Sequence, residues 1–547
     1  LKFRGGKIVR VEQYTQPFAS SFYKKYLEDM PSLSSFYHYE WNQNALNNRL
    51  QETDFSKHKR NELVEVITNY MSPFGISEKS KLHLDELKDN GIVVIGGQQA
   101  GLMSGPMYSI HKAISVIVLA KQQREVLGVP VIPVFWIAGE DHDIDEVNHV
   151  YIERGRKLQK MTYPEASRIK KMASKSPFEK KMITAYLEEL FKSLPETLHT
   201  KNLFQKINAL LEDNMNYSDF FAALMNNFFQ QEGLLLIDAA YEPLRKLESE
   251  YFQKMVKYSS RLAEVVFENE AVFEKAGYGT PIQTKENAAH LFYVEDGERF
   301  LLERKDKKFV NEGKGIAFSE EELMNIAINE PEKLSNNVVT RPLMQEMVFP
   351  VLSFIGGPGE IAYWGTLKSA FELFEMRMPV IMPRLSISIV NSKTQNLLEK
   401  LSFRIPEIWE GMVEKAKLQF IDEHRNEKIP TLLTSIEEDI TAKYKELETI
   451  LLEEENLKLA PLVNKNLDYH KKQITFLNNA IEDTLLGKLD ASIYRYDRLT
   501  MELNPNGGLQ ERTFSPLQLL NEVGMELIQD LLELPYEFNG KHQIVYI

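Results

Sequence analysis

Four groups of residues in this chain of 547 have the types and spacing to do chemistry. The first is Gly96-Gly97-Gln98-Gln99-Ala100-Gly101, followed by Gly105 and by His111-Lys112. An apolar run, Gly91 to Ile95, precedes it and reads as a buried parallel strand. A periodic apolar segment, Ile110 to Leu127, follows and reads as a helix. Glycines let backbone approach an anion, and a helix N-terminus offers free N–H groups and the positive end of its dipole. Gly96, Gly97, Gln98, Gln99, Gly101 and Gly105 are therefore expected to cradle a substrate or phosphate, with His111 and Lys112 bringing charge to the same anion. The pattern is neither the dinucleotide G-x-G-x-x-G nor a Walker A, which needs G-K-[ST]. The plain alternative is a turn whose glycines serve sterics alone.

The second group, Gly139-Glu140-Asp141-His142-Asp143-Ile144-Asp145-Glu146, ends a second apolar strand, Val129 to Ile137. Ligands of open α/β sheets bind beyond the carboxyl ends of the strands, which puts this cluster beside the first turn. Asp141, His142 and Asp143 could bind an ammonium, act as general base or hold a divalent metal. Acids capping a helix are the alternative; capping explains one or two acids better than a His amid five. The third group is Ser335-Asn336-Asn337-Val338-Val339-Thr340-Arg341-Pro342. Asn337, Thr340 and Arg341 suit carboxylate or phosphate recognition, against the alternative of an Asx turn with a surface Arg. The fourth is a second glycine turn, Gly356-Gly357-Pro358-Gly359-Glu360, followed by Ile361-Ala362-Tyr363-Trp364. Gly357, Gly359 and Glu360 would face the first turn across a sheet crevice. Tyr363 and Trp364 could stack on a base or sugar, although core packing is the commoner fate of such pairs. Lys171-Met172-Ala173-Ser174-Lys175-Ser176 looks like a synthetase K-M-S-K-S loop with one residue inserted, and its place in a charged insertion marks it as coincidence.

The elements that must position these residues follow from the pattern. Further apolar runs at Gly233–Asp238, Val348–Ile355 and Pro379–Pro383 alternate with helical segments. They predict a doubly wound α/β core with a parallel sheet, spanning 1–395 with an aromatic, mainly helical opening of about 90 residues. Insertions fall at about 151–230, charged and mainly helical, and about 240–335, where Asp296-Gly297 between two apolar runs predicts a hairpin. Residues 396–503 are rich in Glu, Lys and Leu. Leu433, Ile436, Ile440, Leu447 and Ile450, then Leu467, Ile474, Leu477 and Ile481, predict an antiparallel coiled-coil hairpin turning near Pro461. Leu451, Leu452, Leu457 and Leu459 near its tip suggest a covered patch and hence a homodimer. Residues 504–547 return to the core with a strand at Gln543–Tyr546.

The bulk numbers exclude whole classes. A net charge of −14 argues against sequence-independent binding to nucleic acid or anionic membrane, and basic runs such as Arg168-Ile169-Lys170-Lys171 read as solvated surface. With no cysteine there is no disulfide framework, Cys-ligated zinc or thiol nucleophile. No run of about 18 apolar residues suggests a membrane span. Leu1-Lys2-Phe3-Arg4 opens into polar sequence without an initiating Met, and a cytoplasmic protein is expected.

Gly96–Lys112, Pro133–Asp143, Asn336–Glu346, Gly356–Gly365 and the closing Asn506-Gly507-Gly508-Leu509-Gln510-Glu511-Arg512 together resemble the bacillithiol biosynthesis cysteine-adding enzymes. The resemblance spans nearly the whole chain and adds Arg512 to the binding candidates. It implies a ligase joining cysteine to glucosaminyl malate, a Rossmann-like core with insertions, and a coiled-coil domain that mediates dimers. Amide formation needs an activated carboxyl, which ATP can supply as an adenylate or acyl-phosphate, so an adenine nucleotide is an expected partner. The turn N–H groups with His111 and Lys112 would stabilise its charge. Asp141 or Asp143 would take the amine proton, and Arg341 or Arg384 would clamp malate. Any metal requirement stays open. The competing readings are a nucleotide-binding dimeric scaffold, or a Rossmann-fold ligase or nucleotidyltransferase with another substrate.

Overall fold

The computed structural model describes residues 10–164, 170–453 and 457–547, without the side chain of Leu457. Leu1-Lys2-Phe3-Arg4 and Arg168-Ile169 lie outside the described residues. Two compact units are present: Leu1–Asn391 with Gly508–Ile547, and Ser392–Gly507.

The first unit is built on five parallel strands: β1 (Ile92–Gln98), β2 (Val131–Ile137), β3 (Leu235–Asp238), β4 (Val351–Gly356) and β5 (Val380–Pro383). Their order is β5-β4-β1-β2-β3, the doubly wound arrangement, whose direction of winding reverses between β1 and β4. Continuous apolar sequence produces this because both sheet faces are covered: every residue of β2 to β5 is buried. Pro133 is tolerated inside β2 because the ladder to β3 begins only at Val134, so Pro133 has one strand neighbour. The crossover from β1 to β2 is the helix α1 (Tyr108–Leu127), buried on all sides from Ser109 to Ala120 and closed by Gly128 in the left-handed region.

Between β3 and β4 lies a five-stranded antiparallel sheet. Ala288–Glu295 pairs with Glu298–Lys305 through a two-residue turn in which Asp296 (φ 51°) and Gly297 (φ 82°) are both left-handed, the geometry that matches strand twist. Lys308–Asn311 and Ile316–Ser319 extend it, and Leu334–Asn336 pairs on its other edge. A third sheet sets His542–Tyr546 between Arg10–Tyr14, antiparallel, and Ser386–Val390, parallel. The opening 90 residues are mainly helical with one strand, Arg10–Tyr14, and the mainly helical segment after 150 begins with a hairpin, His149–Arg154 with Lys157–Thr162.

The second unit is helical. Its longest helices, Lys428–Glu453 and Ala460–Leu503, pack on each other as a hairpin. Leu433 and Val463 are buried in this pairing, while Ile436, Leu447, Ile450, Leu452, Leu459, Leu462, Phe476 and Leu477 stay exposed. Among the described residues no helix is long and apolar enough to cross a membrane.

Candidate active site

A crevice of about 380 Å³ opens at the carboxyl ends of β1, β2 and β4, where the winding reverses. Both glycine turns reach it: Gly97, Gln98 and Gln99 from the first, Gly357, Pro358, Gly359 and Glu360 from the second. Tyr108, Lys112, Trp136, Ala138, Asp141, Arg341, Tyr363, Arg384 and Arg512 complete the wall.

Lys112 ties the two turns together. Its Nζ donates to Gly97 O (2.7 Å), to Gln98 Oε1 (3.2 Å) and to Glu360, whose carboxylate also accepts the Gly357 N–H (2.8 Å). Burial lowers the Lys112 pKa against the opposing pull of Glu360. All three ammonium donors are thus committed within the protein, and Lys112 positions the turns. Gly97 is required by packing: a Cβ there would stand 2.5 Å from Trp136 O. Gly359 has nothing within 4 Å of such a position, so its side of the turn is open to a ligand.

Of the three arginines in the wall, Arg341 and Arg512 are the nearest to free. Arg341 donates to the Tyr363 hydroxyl and, at 3.3 Å, to Gln345 Oε1. Arg512 is exposed, and its side chain has no hydrogen bond or ion pair among the described residues. In the same crevice, Asp141 accepts from Gln99 Nε2 at 2.7 Å.

Arg384 is committed elsewhere, which corrects its expected role as a clamp. Both its terminal nitrogens donate to Glu511 at 2.8 Å. Glu511 also accepts from His111 Nδ1 (2.6 Å), Ser386 Oγ (2.8 Å) and Ile387 N (3.1 Å). Burial by itself would raise the Glu511 pKa, but Arg384 and His111 hold it well below the usual carboxylate range. His111 is fully buried and its pKa is lowered, so it is a neutral ring donating Nδ1–H to a carboxylate. It does not face the crevice.

Other expected residues also fall outside. Gly96 packs on Val116 and Lys112 of α1. Gly101 and Gly105 make a tight loop, with Gly105 at φ +70° and its Cα 2.6 Å from a Cβ built on Gly101. The Met107 N–H before α1 is taken by Phe514 O (2.8 Å), so that helix start is partly capped by protein. Asp143 is exposed and pairs with Lys170 at 3.0 Å. Glu140 is buried against Arg245 and Ser335. His142 turns into a neighbouring cavity. The acid cluster is therefore split, and no group of three or more His, Asp or Glu placed to hold a metal occurs among the described residues. Trp364 is fully buried between Phe354 (4.6 Å) and Phe371 (5.6 Å), so it cannot stack on a ligand. Thr340 is buried and donates to His290 O, while Asn337 Oδ1 accepts the N–H groups of Val339 and Thr340: an Asx turn, with Arg341 alone reaching the crevice. Tyr108 and Glu511 carry no spacing signal in the sequence.

Residues 9–385 match the family described as bacillithiol biosynthesis BshC, N-terminal Rossmann-like domain, and residues 387–547 match its C-terminal coiled-coil domain. The chain belongs to the BshC family of bacillithiol biosynthesis. It is 42% identical over 539 residues to a BshC of Lysinibacillus sphaericus, covering 98% of this chain and 100% of that one. A Geobacillus BshC is 37% identical, over 91% and 92% of the two chains, and one from Halalkalibacterium halodurans is 36% identical, over 95% and 97%. Each of the three relatives bears the name "Putative cysteine ligase BshC". The family's Rossmann-like and coiled-coil parts correspond to the parallel sheet and the helical hairpin described above.

Proposed function

We propose that the crevice is the active site of a ligase that joins the carboxyl of cysteine to the amine of glucosaminyl malate, with ATP activating the carboxyl. The observation that carries this reading is the set of charges at the switch point: Arg341, Arg512 and Asp141 line one crevice with both glycine turns. A carboxylate resists attack by an amine, so it must first be converted to an adenylate or acyl-phosphate. Both are anionic, and both suit the two arginines and the open turn at Gly359. The attacking amine must be neutral. Asp141, a carboxylate of the crevice that already accepts from Gln99, would take its proton. Arg341 and Arg512 are also the groups suited to the malyl carboxylates. The names of the relatives support cysteine as one substrate.

The test is incubation of the protein with cysteine, glucosaminyl malate and ATP, followed by mass detection of the thiol product and of the nucleotide. Product with AMP supports an adenylate, and product with ADP supports an acyl-phosphate. Product without ATP removes the nucleotide from the reading. Nucleotide binding with no product under any condition sinks the ligase and favours a nucleotide-binding scaffold.

A further inference from the structure

Arg512 lines the crevice, and among the described residues no hydrogen bond or ion pair of its side chain places it there. Its position therefore rests on the backbone that carries it. That backbone is one turn of 3₁₀ helix, Gln510–Arg512, in which successive side chains stand about 120° apart. Gln510 and Glu511 are buried and Arg512 is exposed, so two sides of the turn are sunk in the fold and the third faces the crevice.

The buried sides are held by a ladder made of side chains. Ser386–Val390 is an end strand of its sheet, with His542–Tyr546 on one side only. Its outer edge lies in the interior, where Ile387 and Ile389 are buried and unpaired backbone groups would be costly. Gln510 Oε1 accepts the Ile389 N–H at 2.8 Å, and Gln510 Nε2 donates to Ile389 O at 2.9 Å. One side-chain amide thus supplies both bonds that a neighbouring strand would make to Ile389. Glu511 accepts the Ile387 N–H at 3.1 Å, so the next residue of the turn pairs with the next outward position of the strand.

The turn is also fastened beyond Arg512. The N–H groups of Thr513 and Phe514 both donate to Gln510 O, each at 3.1 Å, and Phe514 O accepts the Met107 N–H just before α1. Gln510 therefore joins the end strand, through its amide, to the residues that follow Arg512, through its carbonyl. It is not part of the crevice wall, so any influence it has on a ligand passes through the turn. Glu511 is less specific, because it also holds Arg384 and His111.

We propose that Gln510 is a positioning residue for the reaction: its amide takes the place of a strand along Ser386–Val390 and so fixes the backbone from which Arg512 reaches the anionic group of the substrate. Glu511 secures the next residue of the same turn. This rests on the proposed function, in which the crevice is the substrate site and Arg512 a binding residue.

The test is kcat/KM for the thiol product, with calorimetric binding of glucosaminyl malate, in the full chain and in Gln510→Ala, Gln510→Met, Arg512→Ala and each Gln510 variant combined with Arg512→Ala. Thermal melting checks folding, and hydrogen exchange is followed in the peptide spanning 386–390. Gln510→Met keeps the bulk and removes both hydrogen bonds, so it carries the reading if Gln510→Ala does not fold. Both variants should speed exchange at Ile389. Both should lower kcat/KM about tenfold, less than the roughly hundredfold that a misplacement of about 1 Å can cost. The loss should divide between kcat and KM as the Arg512→Ala loss does, and the dissociation constant of glucosaminyl malate should follow the same order. In the Arg512→Ala background the loss should shrink to less than about twofold, because no guanidinium is left to misplace. A second loss of the same size in that background, an unchanged kcat/KM in the Gln510 variants, or unchanged exchange at Ile389 each overturns the proposal. Failure of the wild-type chain to bind glucosaminyl malate overturns this proposal and the ligase reading together. Binding without product overturns the ligase reading, and the dissociation constants then decide this proposal by the same comparison. A working wild type with additive losses overturns this proposal alone.

Discussion

At the scale of single residues, the lesson lies in His111 and Lys112. As neighbours in sequence they read as one charged pair. On a helix of 3.6 residues per turn they point about 100° apart, and no single ligand can take both. Lys112 reaches the two turns, and His111 goes to Glu511 at the far end of the sequence. Spacing identifies a glycine turn well, since backbone geometry is local. It says nothing of a carboxylate some 400 residues away, which is why Glu511 was legible only through a resemblance. His111→Ala should therefore act on stability: it removes a buried hydrogen bond to an ionised carboxylate, about 3 kcal/mol, read as a lowered midpoint in denaturant. Arg512→Ala should behave oppositely. The side chain is exposed and unpaired, so the melting temperature should hold while kcat/KM falls at least about tenfold, with partial recovery in Arg512→Lys. A normal kcat/KM in Arg512→Ala would remove it from the site.

At the scale of elements, the parallel strands were legible because burial on both faces leaves no polar positions, and the Asp296-Gly297 hairpin because its turn demands those residues. Arg10–Tyr14 was not legible: it is a short edge strand, largely polar and half exposed. The Lys171–Ser176 loop has a structural role. Its Ser174 donates to Asp238 at the end of β3, and the pair closes over Gly139, where a Cβ would stand 2.1 Å from Ser174 Oγ. Burial raises Asp238 from 3.8 to about 6, against hydrogen bonds from Ser174 and the Ala240 N–H. The folded chain therefore keeps a proton that the unfolded chain has already released. This contribution is full below pH 4 and is lost as pH climbs through 6. Asp238→Asn stays neutral throughout. Relative to wild type it should gain about 3 kcal/mol between pH 4 and pH 8, seen as a difference in melting temperature that grows with pH and levels off above 7. A difference independent of pH would mean that Asp238 is ionised in the fold at every pH tested.

At the scale of the whole molecule, the helical hairpin leaves a run of leucine, isoleucine and phenylalanine in water, from Ile436 to Leu462 and again at Phe476 and Leu477. Patches of that kind mark a contact, and a two-fold contact would cover the same patch on both copies. We expect a homodimer at micromolar concentration by light scattering. Removing residues 430–485 and bridging the ends should give a folded monomer; a deletion variant that stays dimeric would place the contact elsewhere. The chain route carries a different consequence. Glu511 and Arg512 lie beyond the entire helical unit, and the last strand, His542–Tyr546, is the middle one of its sheet. A ribosome has to make the whole helical unit before the crevice has its Arg512 wall, and the third sheet has no centre until His542–Tyr546 is made. A nascent chain that stalls within the helical unit therefore carries an unfinished crevice.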